Sequence, residues 1–298
     1  MSDERFRLDV PAVRRAFARA APRYDQASAL QREVARRMVE RLELVKLQPT
    51  RIIDLGCGTG VDLNLLGERY PKALRIGCDL AFPMLLQTRA RGAWFKRLLP
   101  RLTWSGPRLV CASAERLPLK AGCAELLWSN LVLQWLNEPL DAFREMLRVL
   151  EVGGLLTFTT LGPDTLKELR QAFTSVDGSP HVHRFIDMHD IGDMLVSAGF
   201  GDPVMDMEML TLTYASVDDL MLDLTRGGAR NADVRRRRGL MGKGEWHRVI
   251  TAYESLRREG RLPATFEVVY GHAWKPQPRV SADGRAIVRL DLSRRSTK

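Results

Sequence analysis

The sequence lacks several features that mark membrane, secreted and metal-dependent proteins. No continuous run of about 18 apolar residues occurs, so no membrane-spanning helix is predicted. Acidic Asp3 and Glu4 stand where a secretory signal needs an apolar segment. The four cysteines include no C-x-x-C pair, which argues against a zinc or redox site. We therefore expect a cytoplasmic protein that holds no metal.

Positive charge is present in excess, but it is unevenly distributed. The net charge of the 298-residue chain is +10. Residues 226–248 carry eight basic and two acidic side chains, and residues 275–298 carry seven and two. Because the remainder is nearly neutral, a protein that coats nucleic acid is not favoured. The two basic segments indicate either a docking surface for an acidic partner or solvated loops.

Hydrophobic periodicity predicts an open, mostly parallel α/β sheet. Short apolar runs typical of buried strands alternate with segments of helical spacing after residue 50. In such sheets, ligands bind beyond the carboxyl ends of the strands. Before this region, residues 10–45 have helical spacing, broken at Ala21-Pro22. The predicted strands are 51–55, 73–78, 108–111, 125–129, 155–159, 204–213 and 266–272, and the helices are 61–70, 83–91, 140–150, 187–198 and two more before residue 262.

A glycine-rich loop follows the first predicted strand, in the stretch I-I-D-L-G-C-G-T-G from Ile52 to Gly60. Glycines let backbone amides approach a ligand closely at the start of a helix. A nucleoside-triphosphate loop is excluded because its lysine is missing, and Val61 breaks the G-x-G-x-x-G spacing of a dinucleotide site. The remaining D-x-G-x-G-x-G pattern resembles the first motif of class I S-adenosylmethionine-dependent methyltransferases. That resemblance implies cofactor binding by Asp54, Gly56, Gly58 and Gly60.

Later strand ends supply further candidates for binding S-adenosylmethionine. Asp79 lies nineteen residues beyond Gly60, close to the offset at which an acid meets ribose hydroxyls. The segment A-S-A-E-R-L-P-L, residues 112–119, resembles the part of these methyltransferases that contacts adenine, although Ser113 replaces the usual acid. The candidates are Asp79, Leu80, Ser113, Ala114, Glu115 and Asn130.

Several longer motifs resemble one family, the malonyl-acyl-carrier-protein O-methyltransferases of biotin synthesis. They are A-F-A-R-A-A-P-R-Y at 16–24, S-N-L-V-L-Q-W at 129–135, H-V-H-R-F at 181–185 and L-P-A-T-F-E-V-V-Y-G-H-A at 262–273. The resemblance covers about residues 10–274 and departs from the family at the insertion 92–107, the basic stretch 226–238 and the tail. It implies a seven-stranded class I methyltransferase sheet, doubly wound and Rossmann-like. An assembly factor of arginine-hydroxylase type with the same fold, or an RNA methyltransferase, remains an alternative.

The resemblance also implies a reaction and a set of roles. Methyl transfer to a free malonyl carboxylate needs no general base, because a carboxyl pKa of about 4 leaves the nucleophile ionised. Tyr24 and Trp135 are expected to enclose the methyl group, and Arg184 to hold the carboxylate by its planar fork. Gln134 and His181 are candidate substrate contacts. An acidic acyl carrier protein bearing malonyl is the implied partner, with Arg235, Arg236, Arg237 and Arg238 as its docking surface.

The implied domain organisation has three parts. Residues 1–46 form an N-terminal helical lid, and residues 47–274 form the methyltransferase domain. A helical insertion at about 214–262 lies within that domain, and residues 275–298 form a flexible basic tail.

Overall fold

The computed structural model describes residues 7–98 and 106–278, and of residues 93–98 it describes the backbone alone. Residues 99–105 of the predicted 92–107 insertion and most of the predicted flexible tail lie outside the described residues. Within them, no helix is both long and apolar enough to cross a membrane.

The described chain folds around one seven-stranded sheet. The strand order is β3-β2-β1-β4-β5-β7-β6, with β7 antiparallel to both of its neighbours. The order reverses between β1 and β4, so the ligand crevice is expected at the carboxyl ends of these strands. This confirms the predicted doubly wound class I methyltransferase sheet. The strands are β1 (Arg51–Leu55), β2 (Leu74–Asp79), β3 (Arg108–Cys111), β4 (Ala124–Ser129), β5 (Leu150–Leu161), β6 (Gly201–Tyr214) and β7 (Leu262–Trp274).

Helices cover both faces of the sheet. Successive residues of β1 point to opposite faces, so Ile52 packs in one core and Ile53 in the other, both fully buried. Burial on both faces explains why the parallel strands read as continuous apolar runs. The patterns do not predict the short helix α6. The helices are α1 (Val10–Ala20), α2 (Ala29–Leu42), α3 (Val61–Arg69), α4 (Phe82–Leu98), α5 (Pro139–Val149), α6 (Lys167–Phe173), α7 (Met188–Ala198), α8 (Val217–Arg226) and α9 (Lys243–Glu254).

The N-terminal segment is helical, as predicted. At the predicted break, the chain leaves α1 and forms a 3-10 helix, Ala21–Ala27, before α2 begins. Helix α2 buries Val34 and Met38 in the same core as Ile52. Helix α1 and the 3-10 helix precede it, and the lid predicted for residues 1–46 stays a prediction. Helices α8 and α9 occupy the connection between β6 and β7, where the insertion is predicted.

Candidate active site

The glycine loop bends sharply between β1 and α3. Gly56, Gly58 and Gly60 have φ of 77°, 51° and 80°, in the left-handed region that favours glycine. A Cβ on Gly56 would lie 2.1 Å from Val132 Cγ2, and one on Gly60 would lie 2.5 Å from Thr88 Cγ2. Gly60 is therefore required for packing against α4, and only Gly56 and Gly58 line the cavity beyond the strands.

That cavity, here called the cofactor cavity, lies at the carboxyl ends of β1, β2, β3 and β4. Its volume is about 110 Å³. Helix α1 and the 3-10 helix contribute part of its lining. The lining residues are Val13, Arg14, Phe17, Tyr24, Leu55, Gly56, Gly58, Cys78, Asp79, Leu80, Ala81, Met84, Ala112, Ser113, Ala114, Asn130, Leu131, Val132, Trp135 and Leu136.

Asp79 lies at the end of β2, facing the glycine loop. Its Oδ2 accepts a hydrogen bond from the Gly58 amide at 2.9 Å, and its Oδ1 accepts one from the Ala81 amide at 2.7 Å. Burial raises its pKa, against the opposing effect of these amides. Since each carboxylate oxygen has two lone pairs, both oxygens can still accept a hydrogen bond from a ligand hydroxyl. The carboxylate is thus held in position by the loop that it faces.

Ser113 occupies the position at which the motif usually has an acid, and the carboxylate of Glu115 is hydrogen-bonded to it. Ser113 and Ala114 line the cofactor cavity, whereas Glu115 does not. The Ser113 hydroxyl donates to Glu115 Oε2 at 2.8 Å and accepts from the Glu115 amide at 3.4 Å, which leaves one lone pair of its oxygen to accept a hydrogen bond at the cavity. The carboxylate of Glu115 therefore acts on the cavity only through Ser113.

Two further carboxylates lie beneath the cavity. Asp54 is 1% exposed, its Oδ2 has no hydrogen-bond partner, and burial raises its pKa well above the usual range. Asp62 accepts from Trp128 Nε1 at 2.9 Å and from Asn130 Nδ2 at 3.0 Å. Asp62 is not among the residues predicted from the sequence. Its position, an acid in the first turn of the helix that follows the glycine loop, could have indicated it. A cationic ligand would stabilise the ionised form of these groups.

Asn130 and Gln134 use their amides to brace the loop after β4. Asn130 lines the cavity, and its Oδ1 accepts from Thr159 Oγ1 at 2.9 Å. Gln134 donates to the Leu131 carbonyl at 2.7 Å and accepts from Thr160 Oγ1 at 3.1 Å. Leu131 has a φ of 54°, which is unfavourable for a branched side chain. Gln134, predicted to contact substrate, supports this strained turn with both of its hydrogen bonds. Its side chain lines neither the cofactor cavity nor the second cavity described next.

A second cavity of about 520 Å³, here called the acceptor cavity, meets the cofactor cavity at Trp135. Trp135 lines both. The indole packs edge-on against Phe17, with centroids 5.2 Å apart at 88°. The other residues lining the acceptor cavity are Leu161, Thr165, Leu166, Leu169, Phe173, His181, Val182, His183, Phe185, Met221, Leu224, Thr225, Ala229, Arg230, Asn231, Arg236, Arg237, Gly239, Met241 and Phe266.

His183 is a buried polar group in the wall of the acceptor cavity. It is 6% exposed, and its Nε2 has no partner among the described residues. Burial lowers its pKa to about 4, so the imidazole is neutral at pH 7. Its neighbour in the motif, His181, bonds Asp177 Oδ1 at 2.9 Å and stacks on Phe173 at 4.0 Å. Within the described chain, the Nε2 of His183 is therefore a buried ring nitrogen that can still bond a ligand in the acceptor cavity.

Arg184 lines neither of the two cavities that Trp135 borders. It is exposed and, together with Arg170, lines a cavity of about 590 Å³ that adjoins the acceptor cavity at Phe173 and His181. Within the described chain, no hydrogen bond or ion pair reaches its side chain, and Asp187 bonds His189 instead. The predicted anchor for the malonyl carboxylate is therefore not brought together with Trp135 and Tyr24.

Three side chains of the arginine run, Arg235 to Arg238, form ion pairs with other residues of the fold. Arg235 pairs with Asp233 at 2.7 Å, and Arg236 pairs with Asp9 at 2.9 Å, at the start of α1. Arg237 pairs with Asp177 at 3.1 Å and with Glu245 at 2.9 Å. Only Arg238 makes no such pair within residues 7–98 and 106–278. Two of the four predicted docking arginines, Arg236 and Arg237, thus join the insertion to distant residues, while Arg235 pairs within the insertion.

Comparison with known proteins agrees with this geometry. A family model described as a methyltransferase domain matches residues 53–158. A malonyl-[acyl-carrier protein] O-methyltransferase of Gallionella capsiferriformans is 54% identical, covering 96% of this chain and 98% of the relative. The corresponding protein of Laribacter hongkongensis is 53% identical, covering 96% and 97%.

A solved S-adenosylmethionine-dependent methyltransferase from Thermotoga maritima shares the fold, with a TM-score of 0.51 and 16% identity, covering 88% of this chain and 99% of that one. The identity of more than half to these two relatives, over nearly the whole chain, is much higher than the 16% found for a protein that shares only the fold. The chain therefore belongs to the malonyl-[acyl-carrier protein] O-methyltransferase family.

Proposed function

We propose that this protein transfers a methyl group from S-adenosylmethionine to the free carboxylate of a malonyl thioester carried by an acyl carrier protein. The product is the methyl ester that starts pimeloyl and biotin synthesis. The names of the relatives support this substrate. The observation that carries the proposal is the position of Trp135, which lines both the cofactor cavity and the larger acceptor cavity.

The cofactor cavity suits S-adenosylmethionine. Asp79 would hold the ribose hydroxyls with its carboxylate, and the Ser113 oxygen would accept a hydrogen bond from the adenine amino group. The nearby carboxylates of Asp54 and Asp62 suit a ligand that carries a sulfonium and an ammonium. When bound, the cofactor supplies an electrophilic methyl group on its sulfonium.

The acceptor needs positioning and no proton transfer. A malonyl carboxylate with a pKa of about 4 is ionised at pH 7 and attacks directly. Tyr24 lies against the glycine loop, its ring edge 3.9 Å from a Cβ placed on Gly58. Burial raises the pKa of its phenol, so the hydroxyl stays protonated and can donate a hydrogen bond. Neutral His183 provides a second group beside Trp135.

The chain contributes alignment and exclusion of water. Phe17 and Tyr24 close the cofactor cavity from the lid, and Trp135 forms the wall between the cavities. Effective transfer requires the reacting atoms about 3–3.5 Å apart and in line. Expelling water strengthens the interactions of the carboxylate with fixed donors. Arg184 remains a proposed substrate residue that would act from the adjoining cavity.

The test is incubation with S-adenosylmethionine and malonyl-loaded carrier, followed by mass measurement of the carrier. We expect a gain of one methyl group that mild base removes. The matched control is acetyl-loaded carrier, which has no free carboxylate and should gain nothing. Cofactor binding without any methyl gain would overturn the proposal and favour an assembly-factor role on a protein partner.

A further inference from the structure

A third cavity of about 410 Å³ lies between α1 and the segment that follows α8. We call it the arginine cavity, because six of its twelve lining residues are arginines. Among the described residues, no carboxylate lines it. Those lining it are Ala12, Arg15, Ala16, Arg19, Ala20, Arg23, Thr225, Arg226, Arg230, Asn231, Ala232 and Arg236.

Three of these arginines follow one face of the lid. Arg15, Arg19 and Arg23 recur every four residues along α1 and the 3-10 helix. Like charges four residues apart destabilise an α-helix. Arg226 and Arg230 face them from the insertion. Because this crowding of positive charge is unfavourable without a counterion, the arrangement is suited to a bound anion.

Most of these guanidinium groups are free to bind. Arg236 pairs with Asp9, and the charge of Arg15 also acts on Asp9. For the side chains of the other four, the described chain provides neither an ion pair nor a hydrogen bond. Arg235 and Arg237, in contrast, are committed to ion pairs within the fold. Among the described residues, the arginine cavity therefore has four unpaired arginines, whereas the arginine run has one, Arg238.

The arginine cavity adjoins the acceptor cavity. Thr225, Arg230, Asn231 and Arg236 line both. Beyond them, the acceptor cavity is lined mainly by apolar side chains and ends at Trp135. The cavities thus form a series, with an anion-binding mouth at one end and the methyl-transfer site at the other.

We propose that the arginine cavity binds the phosphate of the phosphopantetheine arm that carries the malonyl thioester. This inference rests on the proposed function. Planar guanidinium groups bind phosphate oxygens through two parallel hydrogen bonds and stay charged at all working pH values. With its phosphate held there, the flexible arm extends through the acceptor cavity and brings the malonyl group to Trp135.

The experiment compares two small substrates that differ in one phosphate, malonyl-phosphopantetheine and malonyl-pantetheine. For the native protein, we expect kcat/KM to be at least about tenfold higher with the phosphorylated substrate, since hydrogen bonds to charged groups contribute about 1.5–3 kcal/mol. In the double variant Arg19→Gln/Arg23→Gln, this ratio should fall toward one. These two arginines line only the arginine cavity.

The matched control is Arg89→Gln/Arg258→Gln, which removes the same charge from two exposed sites that line none of the four cavities. Its ratio should equal that of the native protein. An unchanged ratio in Arg19→Gln/Arg23→Gln, or a native ratio of one, would overturn the phosphate site. If the double variant impaired only carrier-bound substrate, the acidic carrier surface would be the ligand instead. No methylation of any malonyl substrate would refute the proposed function itself.

Discussion

The imidazole of His183 lies 5.0 Å from the indole of Trp135, centroid to centroid, with the rings inclined by 59°. Phe17 of helix α1 also packs edge-on against the indole. Trp135 is therefore held by contacts with α1 and with the wall of the acceptor cavity. Because the indole borders both cavities, displacement of α1 is expected to alter the acceptor wall as well as the cofactor site.

Replacing Trp135 by alanine should impair catalysis more than cofactor binding. The change removes two ring contacts of about 0.5–1.5 kcal/mol each and opens the wall to water. We expect kcat to fall at least about tenfold, since small misplacements of reacting groups are costly, while the Kd for S-adenosylmethionine changes less. Steady-state rates and calorimetry measure the two effects, and Trp135→Phe serves as the conservative control. Equal losses in both quantities would contradict a role in positioning the acceptor.

His183 should make stability depend on pH. Its pKa is about 4 in the folded protein and near 6.5 when unfolded. As the pH falls below 6.5, the unfolded state binds a proton that the folded state excludes, so the free energy of unfolding decreases. The decrease should end near pH 4 and amount to about 3 kcal/mol at most. Urea unfolding across this range should show this slope in the native protein and in the control His189→Asn, but not in His183→Asn.

Asp79→Asn should weaken the binding of S-adenosylmethionine. The amide cannot accept two ribose hydroxyls with a full negative charge, and hydrogen bonds to charged groups contribute about 1.5–3 kcal/mol. We expect the Kd to rise at least about tenfold by calorimetry. Asp141→Asn, on the exposed side of α5, is the matched control and should bind normally. Unaltered affinity in Asp79→Asn would mean that the ribose lies elsewhere.

Asp54→Asn should stabilise the protein without ligand at neutral pH. Burial raises the folded-state pKa, so an ionised Asp54 destabilises the fold at any pH above its unfolded value of about 3.8. The substitution should add about 1–3 kcal/mol to the free energy of unfolding at pH 7. The gain should shrink as the pH approaches 4, where the unfolded carboxyl is also protonated. A less stable variant at pH 7 would show that the carboxylate has a stabilising partner.

Local pattern was sufficient for the main elements of the fold. The predicted bounds of β1, Arg51–Leu55, and of β3, Arg108–Cys111, match those observed. Strand β1 is buried from its second residue onward, as expected for a central parallel strand, whereas β3 is a partly exposed edge strand. Helix α6 was missed because it is short and follows Leu166, whose φ of 54° no periodicity signals. The predicted antiparallel seventh strand is confirmed between β5 and β6.

The glycine loop shows where local reasoning ends. The spacing from Asp54 to Gly60 by itself determined a ligand-binding turn, since alternate glycines permit backbone conformations that other residues resist. That Gly60 is needed for Thr88, and not for the ligand, depended on packing of α4 against the loop.

The partners of the long charged side chains were decided by tertiary structure. Sequence composition determined that residues 226–248 are strongly basic, and the spacing of Arg15, Arg19 and Arg23 is visible along the chain. Only the fold decided that the arginine run pairs with residues as distant as Asp9, while a second group of arginines remains free around a cavity. Backbone geometry follows from neighbours in sequence, but the partner of a flexible charged group depends on which distant segments the core brings together.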